Sequence, residues 1–233
     1  MKPQIHNDWH RCGRDAELKL VREHLRAGKN LVVFGAEGIG KTALVVEAVR
    51  DRPDALYCAD TTTLKTACES LLAQLGLAVA EADNVQRKRA VLRALRRRRS
   101  VVVFDHVGRV SPKLLSLLEN LHESHTLIVV TRSLAWKDIG HLKMILYDFY
   151  TLELTSLSEP DVGQLVRAQI KQLSLTVPNL AEFEHDLWWL SHGNPGCIVA
   201  LCQQAKHGHY VFGRRLDTHL LDLDRRIREL DLP

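Results

Sequence analysis

The stretch Gly35-Ala36-Glu37-Gly38-Ile39-Gly40-Lys41-Thr42 permits few folds. It follows the short apolar run Leu31-Val32-Val33-Phe34 and precedes Ala43-Leu44-Val45-Val46-Glu47-Ala48-Val49-Arg50. The order therefore reads as strand, glycine-rich turn, helix. The spacing G-x-x-x-x-G-K-T is that of a P-loop, in which each part has a physical task. Gly35, Gly38 and Gly40 let the backbone turn its N–H groups into one concavity, and a helix starting near Lys41 adds the positive end of its dipole there. Lys41 is long enough to reach the β- and γ-phosphates of a nucleotide, and the Thr42 hydroxyl can bind Mg²⁺. With Ile39 and Ala43 completing the loop, residues 35–43 form the first candidate binding site, for ATP or ADP with Mg²⁺. A chance glycine-rich turn would not need both flanking elements.

The rest of the first two-thirds of the chain repeats the strand–helix alternation. A helix over residues 15–27 carries Leu18, Val21 and Leu25 at helical spacing, with Asp15 as its expected N-cap. After the P-loop helix, strands are expected at 55–59, 101–105, 126–131 and 150–154. Helices are expected at 64–75, 85–98, 112–121 and 134–146, the last with Trp136, Ile139 and Leu142 inward. The run Val101-Val102-Val103-Phe104 is apolar throughout, which marks a strand covered on both faces of a parallel sheet. Beyond residue 154 only helices are expected, at 158–173, 179–191, 195–206 and 215–230. The fold class is thus α/β, with a parallel-sheet nucleotide-binding domain over residues 1–156 and a helical domain over 157–233.

Composition sets the class of chain. With 45% apolar and 26% charged residues, the 233-residue chain can bury a core. No run approaches the ~18 apolar residues of a membrane span. The N-terminus has no apolar signal-peptide core, so a cytoplasmic location is expected. Five scattered cysteines without a C-x-x-C pair read as reduced thiols rather than as a zinc or disulfide frame. Charge is uneven. Residues 87–99 carry eight basic side chains and no acid against a formal total of +4, which leaves the remainder net acidic. Arg87–Arg99 is therefore either the solvated face of a helix or a surface for an anionic partner such as a nucleic-acid backbone.

Three further positions follow from strand topology. Parallel strands deliver their C-terminal ends to the edge where the P-loop lies. Asp105, ending the third strand, can there hold the Mg²⁺ that Thr42 ligates. His106 follows, where a rapidly hydrolysing ATPase often has an acid to activate water. It is a candidate base or a hydrogen-bonding substitute that leaves turnover slow. Asp60, ending the second strand, is a fallback base. Arg132, after the fourth strand, can pair with the γ-phosphate. Lys41, Asp105, His106 and Arg132 form the candidate catalytic set.

Together these residues resemble the STAND/NB-ARC branch of the AAA+-like P-loop ATPases, close to archaeal and origin-recognition-type ATPases. The resemblance covers about residues 9–206. It rests on the P-loop, the Val101–Asp105 strand and Val129-Val130-Thr131-Arg132-Ser133. Weaker support comes from Cys12-Gly13-Arg14-Asp15-Ala16-Glu17-Leu18, Leu154-Thr155-Ser156-Leu157-Ser158 and Gly193-Asn194-Pro195-Gly196. It implies five parallel strands in the order 5-1-4-3-2 followed by a helical lid. It also implies that adenine sits between the 12–14 segment, with Gly13 and Arg14, and the lid, with Pro195 against the base. Arg132 would be the γ-phosphate sensor. His106 departs from the family's usual acid. No arginine stands in residues 193–203, which favours the STAND side.

The function expected is an ATP-dependent switch with slow hydrolysis that self-assembles or engages a separate effector. The alternative is a DNA-associated helper ATPase using residues 87–99. A small-molecule kinase would need a cationic substrate lid and a catalytic acid near the γ-phosphate, and no such set is visible. In the tail, Leu216, Leu220, Leu223, Ile227 and Leu230 recur at heptad spacing. They line either a helix packed on its own domain or a partner helix.

Overall fold

The computed structural model describes residues 12–77, 82–96, 98–207, 210–212 and 215–230. The start of the resemblance before Cys12, Arg97 of the basic block and the side chain of Leu230 lie outside the described residues. The chain forms two compact units. Of the described residues, the first holds 17–36 and 41–154, and the second holds 12–16, 37–40 and the chain from 155 onward.

The first unit is a five-stranded parallel sheet wrapped by helices. Its strands are β1 (Leu31–Phe34), β2 (Ala55–Cys58), β3 (Val101–Val107), β4 (Thr126–Thr131) and β5 (Tyr150–Glu153), in the order β2-β3-β4-β1-β5. This is the order 5-1-4-3-2 expected from the resemblance. In a strand, alternate residues face opposite sides. Val32, Val102, Phe104, Leu127 and Val129 therefore share one core with the helices α3 (Leu64–Gln74), α4 (Asn84–Leu95) and α5 (Pro112–His122). Leu31, Val33, Val101, Val103, Ile128 and Val130, of opposite parity, are equally buried. Burial on both faces explains why these strands are apolar without alternation. α1 (Asp15–Arg26) buries Leu18, Val21 and Leu25, and α2 (Lys41–Ala48) follows the P-loop.

Local signals set the helix starts. Thr63 and Thr66 form a reciprocal capping box at α3, and Asp83 and Gln86 form another at α4. Ser111 caps α5, with Pro112 in the first turn, where a missing N–H costs nothing.

Four expectations are corrected. The helix expected over 134–146 is only a short α6 (Trp136–Ile139), continued by 3₁₀ turns over Gly140–Met144 and Leu146–Asp148. Gly140 takes φ +53°, which ends the α-helical turn. Ile139 and Leu142 are buried as expected, but Trp136 is exposed. α4 stops at Leu95 instead of residue 98. Its last buried side chain is that same Leu95, and only basic residues follow before Ser100.

The second unit contains α7 (Glu159–Leu173), α8 (Leu180–Ser191), α9 (Pro195–His207) and α10 (Thr218–Leu230). Its core includes Leu157, Val162, Phe183, Leu187, Ile198 and Leu201. α7 and α8 each end on a residue in the left-handed conformation, Ser174 and His192. The third correction is a two-stranded antiparallel ribbon, β6 (Val211–Phe212) with β7 (Arg215–Leu216), where only helices were expected. Two residues per strand leave too little alternation to register in the sequence.

The fourth correction concerns the tail. Of the heptad seam, Leu216 is buried and Leu220 packs against the core, as for a helix on its own domain, but Leu223 and Ile227 are exposed, and α10 buries Thr218, Leu221 and Asp222 instead. Polar contacts set this rotation: Thr218 donates to Asp186 at 2.7 Å, and Gln204 donates to the Leu221 carbonyl at 3.2 Å. No helix among the described residues is long and apolar enough to cross a membrane. None of the five cysteines is in a disulfide, and burial pushes the thiol of Cys68 up to about 11.

Burial predicts an asymmetry between leucines. Leu117→Ala empties a fully buried site and should cost about 3 kcal/mol of unfolding free energy. Leu223→Ala, at a site 54% exposed, should stay within about 0.5 kcal/mol. Urea denaturation of both variants measures this. Equal losses would contradict the packing described.

Candidate functional site

In the first unit the C-terminal ends of β1, β2, β3 and β4 converge. β1 runs into the P-loop, and α2 begins at Lys41. Gly38 and Gly40 take φ +73° and +97°, which residues with side chains rarely adopt. The Gly35 N–H donates to the Arg132 carbonyl at 3.2 Å, tying the start of the loop to the end of β4. Lys41 Nζ donates to the Gly35 and Ala36 carbonyls at 2.8 and 2.7 Å. The ammonium group is thus drawn over the loop's own carbonyls.

Asp105 ends the apolar run of β3 and is 1% exposed. Thr42 Oγ1 donates to its Oδ2 at 2.8 Å, and the backbone N–H of His106 donates to Oδ1 at 2.8 Å. The Tyr57 hydroxyl also donates to Oδ2. A buried carboxylate needs such donors, because an unpaired one would cost several kcal/mol. Thr42 and Asp105 together are oxygen donors of the kind that would hold Mg²⁺.

His106 departs from ordinary backbone. It takes φ +52° at an irregularity where β3 shifts register against β4 between Phe104 and Val107. Its side chain is 74% exposed, and Nε2 lies 3.6 Å from Asp105 Oδ2. Thr61, buried, donates to the Asp105 and His106 carbonyls at 3.3 Å each and so steadies this bend. Asp60, the fallback base, accepts from the Thr62 hydroxyl at 2.6 Å and the Thr62 N–H at 2.8 Å. These bonds, the hydroxyl first, lower its pKa and make it a weaker proton acceptor. Arg132 is exposed beside the start of the P-loop. Lys41, Thr42, Asp105, His106 and Arg132 therefore belong to one strand-end cluster. Sequence reasoning missed Tyr57 and Thr61. Their signal was position alone: both lie on β2 or just beyond it.

The second unit holds the other candidate residues. Gly13 takes φ +67° and packs so closely on Asp161 that an added Cβ would stand 2.6 Å from that side chain. Arg14 is buried and donates to the Thr155 carbonyl at 2.6 Å and the Ile39 carbonyl at 3.3 Å. Asn194 Nδ2 donates to the Glu37 carbonyl at 2.8 Å, and Gly196 N–H donates to the Gly38 carbonyl at 2.9 Å. Pro195 starts α9 and is buried. Gly13, Arg14, Gly38, Ile39 and Pro195 thus lie within this unit, with Asn194 and Gly196 holding the loop tip.

Residues 24–134 match the family model described as an AAA domain. No curated protein sequence matches the chain. Among solved structures, Cdc6p from Pyrobaculum aerophilum is similar with a TM-score of 0.69 at 12% identity, over 89% of this chain and 63% of that one. The Aeropyrum pernix Orc1 protein, solved in complex with DNA, gives 0.66 at 15% identity, over 99% of this chain and 70% of that one. A signal transduction ATPase with numerous domains (STAND) with a tetratricopeptide repeat sensor, from Pyrococcus horikoshii, gives 0.57 at 16% identity. All of this chain is matched there, but only 34% of that protein. The chain thus spans less than two-thirds of the Cdc6p structure and about a third of the STAND protein. Residues 24–134 are thus similar to an AAA domain, and the fold is the one these solved P-loop structures share.

Proposed function

We propose that the chain is an ATP-binding P-loop ATPase that works as a nucleotide-dependent switch. The observation that carries this reading is the hydrogen bond from Thr42 of the P-loop to the buried Asp105. It joins a hydroxyl and a carboxylate from separate elements at the place where a nucleotide-bound Mg²⁺ needs them. Lys41 holds the β- and γ-phosphates, and Arg132 registers the γ-phosphate. Gly13, Arg14 and Pro195 receive the adenine, as the family resemblance implies. The bound metal supplies charge neutralisation of the phosphates. His106 leaves hydrolysis slow, because no carboxylate follows Asp105 and the imidazole projects from a left-handed backbone into solvent. Binding free energy then carries the signal, and the ATP state self-assembles or engages a separate effector.

One observation favours the DNA-associated alternative as a second reading. Of the basic block, Arg87 lies 3.1 Å from the Glu69 carboxylate, and Lys88 donates to Ser116 Oγ at 2.8 Å. Arg89, Arg93, Arg96, Arg98 and Arg99 are exposed. Positions 89, 93 and 96 share one helix face, which makes a stripe of guanidinium groups suited to successive backbone phosphates. The similarity to a DNA-bound Orc1 structure supports this reading.

Light scattering tests both readings. Mass should rise with Mg²⁺–ATP and not with ADP, and identical profiles would overturn the switch. If assembly also requires duplex DNA and weakens steeply between about 50 and 200 mM salt, the arginine stripe contributes. Arg96→Glu with Arg99→Glu should then remove the DNA-dependent part alone. His106→Glu should raise ATP turnover by about tenfold or more if residue 106 faces the attacking water. An unchanged or lower rate, measured by phosphate release, would remove that role.

A further inference from the structure

Among the described residues, Tyr57 is the phenol buried against the carboxylate of the site. It is 1% exposed and lies in β2, opposite Val103 of β3. Asp105 stands two residues beyond Val103, so it has the same parity and faces the same side of the sheet. The phenol of one strand therefore reaches diagonally across to the carboxylate of the next. Its hydroxyl donates to Asp105 Oδ2, the oxygen that also accepts from Thr42.

The backbone of Tyr57 is fixed independently. β2 is an edge strand, and edge residues have unpaired main-chain groups. The Gln74 side chain takes the place of a missing neighbour. Its Oε1 accepts from the Tyr57 N–H at 2.9 Å, and its Nε2 donates to the Tyr57 carbonyl at 2.7 Å. The phenol is thus held from both sides, by α3 through its backbone and by Asp105 through its hydroxyl. A phenol O–H donates and a carboxylate oxygen accepts, which fixes the direction of this bond.

A lone-pair count gives this arrangement a consequence. Each carboxylate oxygen accepts about two hydrogen bonds. Oδ2 is filled by Thr42 and Tyr57. Oδ1 accepts from the His106 N–H and keeps room for one more donor. We propose that Tyr57 is a positioning residue that saturates Oδ2 of Asp105 and so leaves Oδ1 as the carboxylate oxygen with capacity to spare toward a Mg²⁺ site. The proposal rests on the reading of Thr42 and Asp105 as the Mg²⁺ site. In it, Tyr57 touches neither nucleotide nor metal and acts only through Asp105.

Calorimetry of ATP binding across a Mg²⁺ series tests it, with the full chain and the variants Tyr57→Phe, Asp105→Asn and the double variant. Phenylalanine keeps the ring and removes only the hydroxyl. Tyr57→Phe should cut the Mg²⁺-dependent gain in affinity by about tenfold, in the range seen when groups behind metal ligands are changed. Metal-free affinity should move by less than about threefold, and Tyr57→Phe should have no further effect once residue 105 is Asn. A merely structural role would lower both affinities together and persist in the Asn background, and that result overturns the proposal. A Mg²⁺ series for Tyr57→Phe that superimposes on the parent overturns it equally. If the parent itself gains nothing from Mg²⁺, the metal-site reading fails first and takes this inference with it.

Discussion

A carboxylate at 1% exposure is the constraint around which the working edge of the sheet is arranged. Asp105 sits at the end of a strand buried on both faces, where water cannot solvate it. Its oxygens are satisfied by three donors from three elements: the P-loop helix through Thr42, β2 through Tyr57, and its own chain through the His106 N–H. Oδ2 has two of these donors and Oδ1 one, so loss of the His106 N–H bond alone would leave a buried oxygen unpaired, at roughly 1–3 kcal/mol. The P-loop is therefore anchored to the sheet by the same group that the proposed chemistry uses, so stability and function draw on one set of bonds.

The strained segment is where that anchoring ends. β3 loses register beyond Phe104, His106 turns into the left-handed region, and pairing resumes at Val107 with Thr131. Thr61 holds both carbonyls of the bend. A left-handed non-glycine residue is uncommon and persists only where its surroundings hold it there. Here the bend turns the His106 N–H onto Asp105 and sends the imidazole outward. The same distortion thus completes the carboxylate's hydrogen bonds and sets the direction of the side chain in question for hydrolysis.

Much of this was legible in the sequence, for identifiable reasons. Continuous apolar runs such as Val101–Phe104 announce doubly covered strands, and the Gly35–Thr42 spacing announces the loop between β1 and α2. Cap residues Thr63, Asp83 and Ser111 stand where helices start. The order of the strands came only from family resemblance, since local pattern carries no information about which strand neighbours which. For the same reason the Tyr57–Asp105 pairing was hidden: it depends on the β2–β3 register. Gly140 was legible as a weak helix residue, yet Ile139 and Leu142 on either side kept the apolar period intact. In the tail, heptad spacing pointed to Leu223 and Ile227. Inward hydrogen bonds from Thr218 and Gln204 turned a different face to the core.

The most direct measurement concerns the P-loop itself. Lys41 Nζ lies on the loop carbonyls, and the proposed function has it turn to the phosphates. Calorimetric titration of ATP with Mg²⁺ into the parent and a Lys41→Ala protein of equal thermal stability isolates that step. A loss of affinity of about tenfold or more in Lys41→Ala is the predicted result, the size of a charge-assisted hydrogen bond. Uptake of ATP as tight as in the parent would contradict the account at its root.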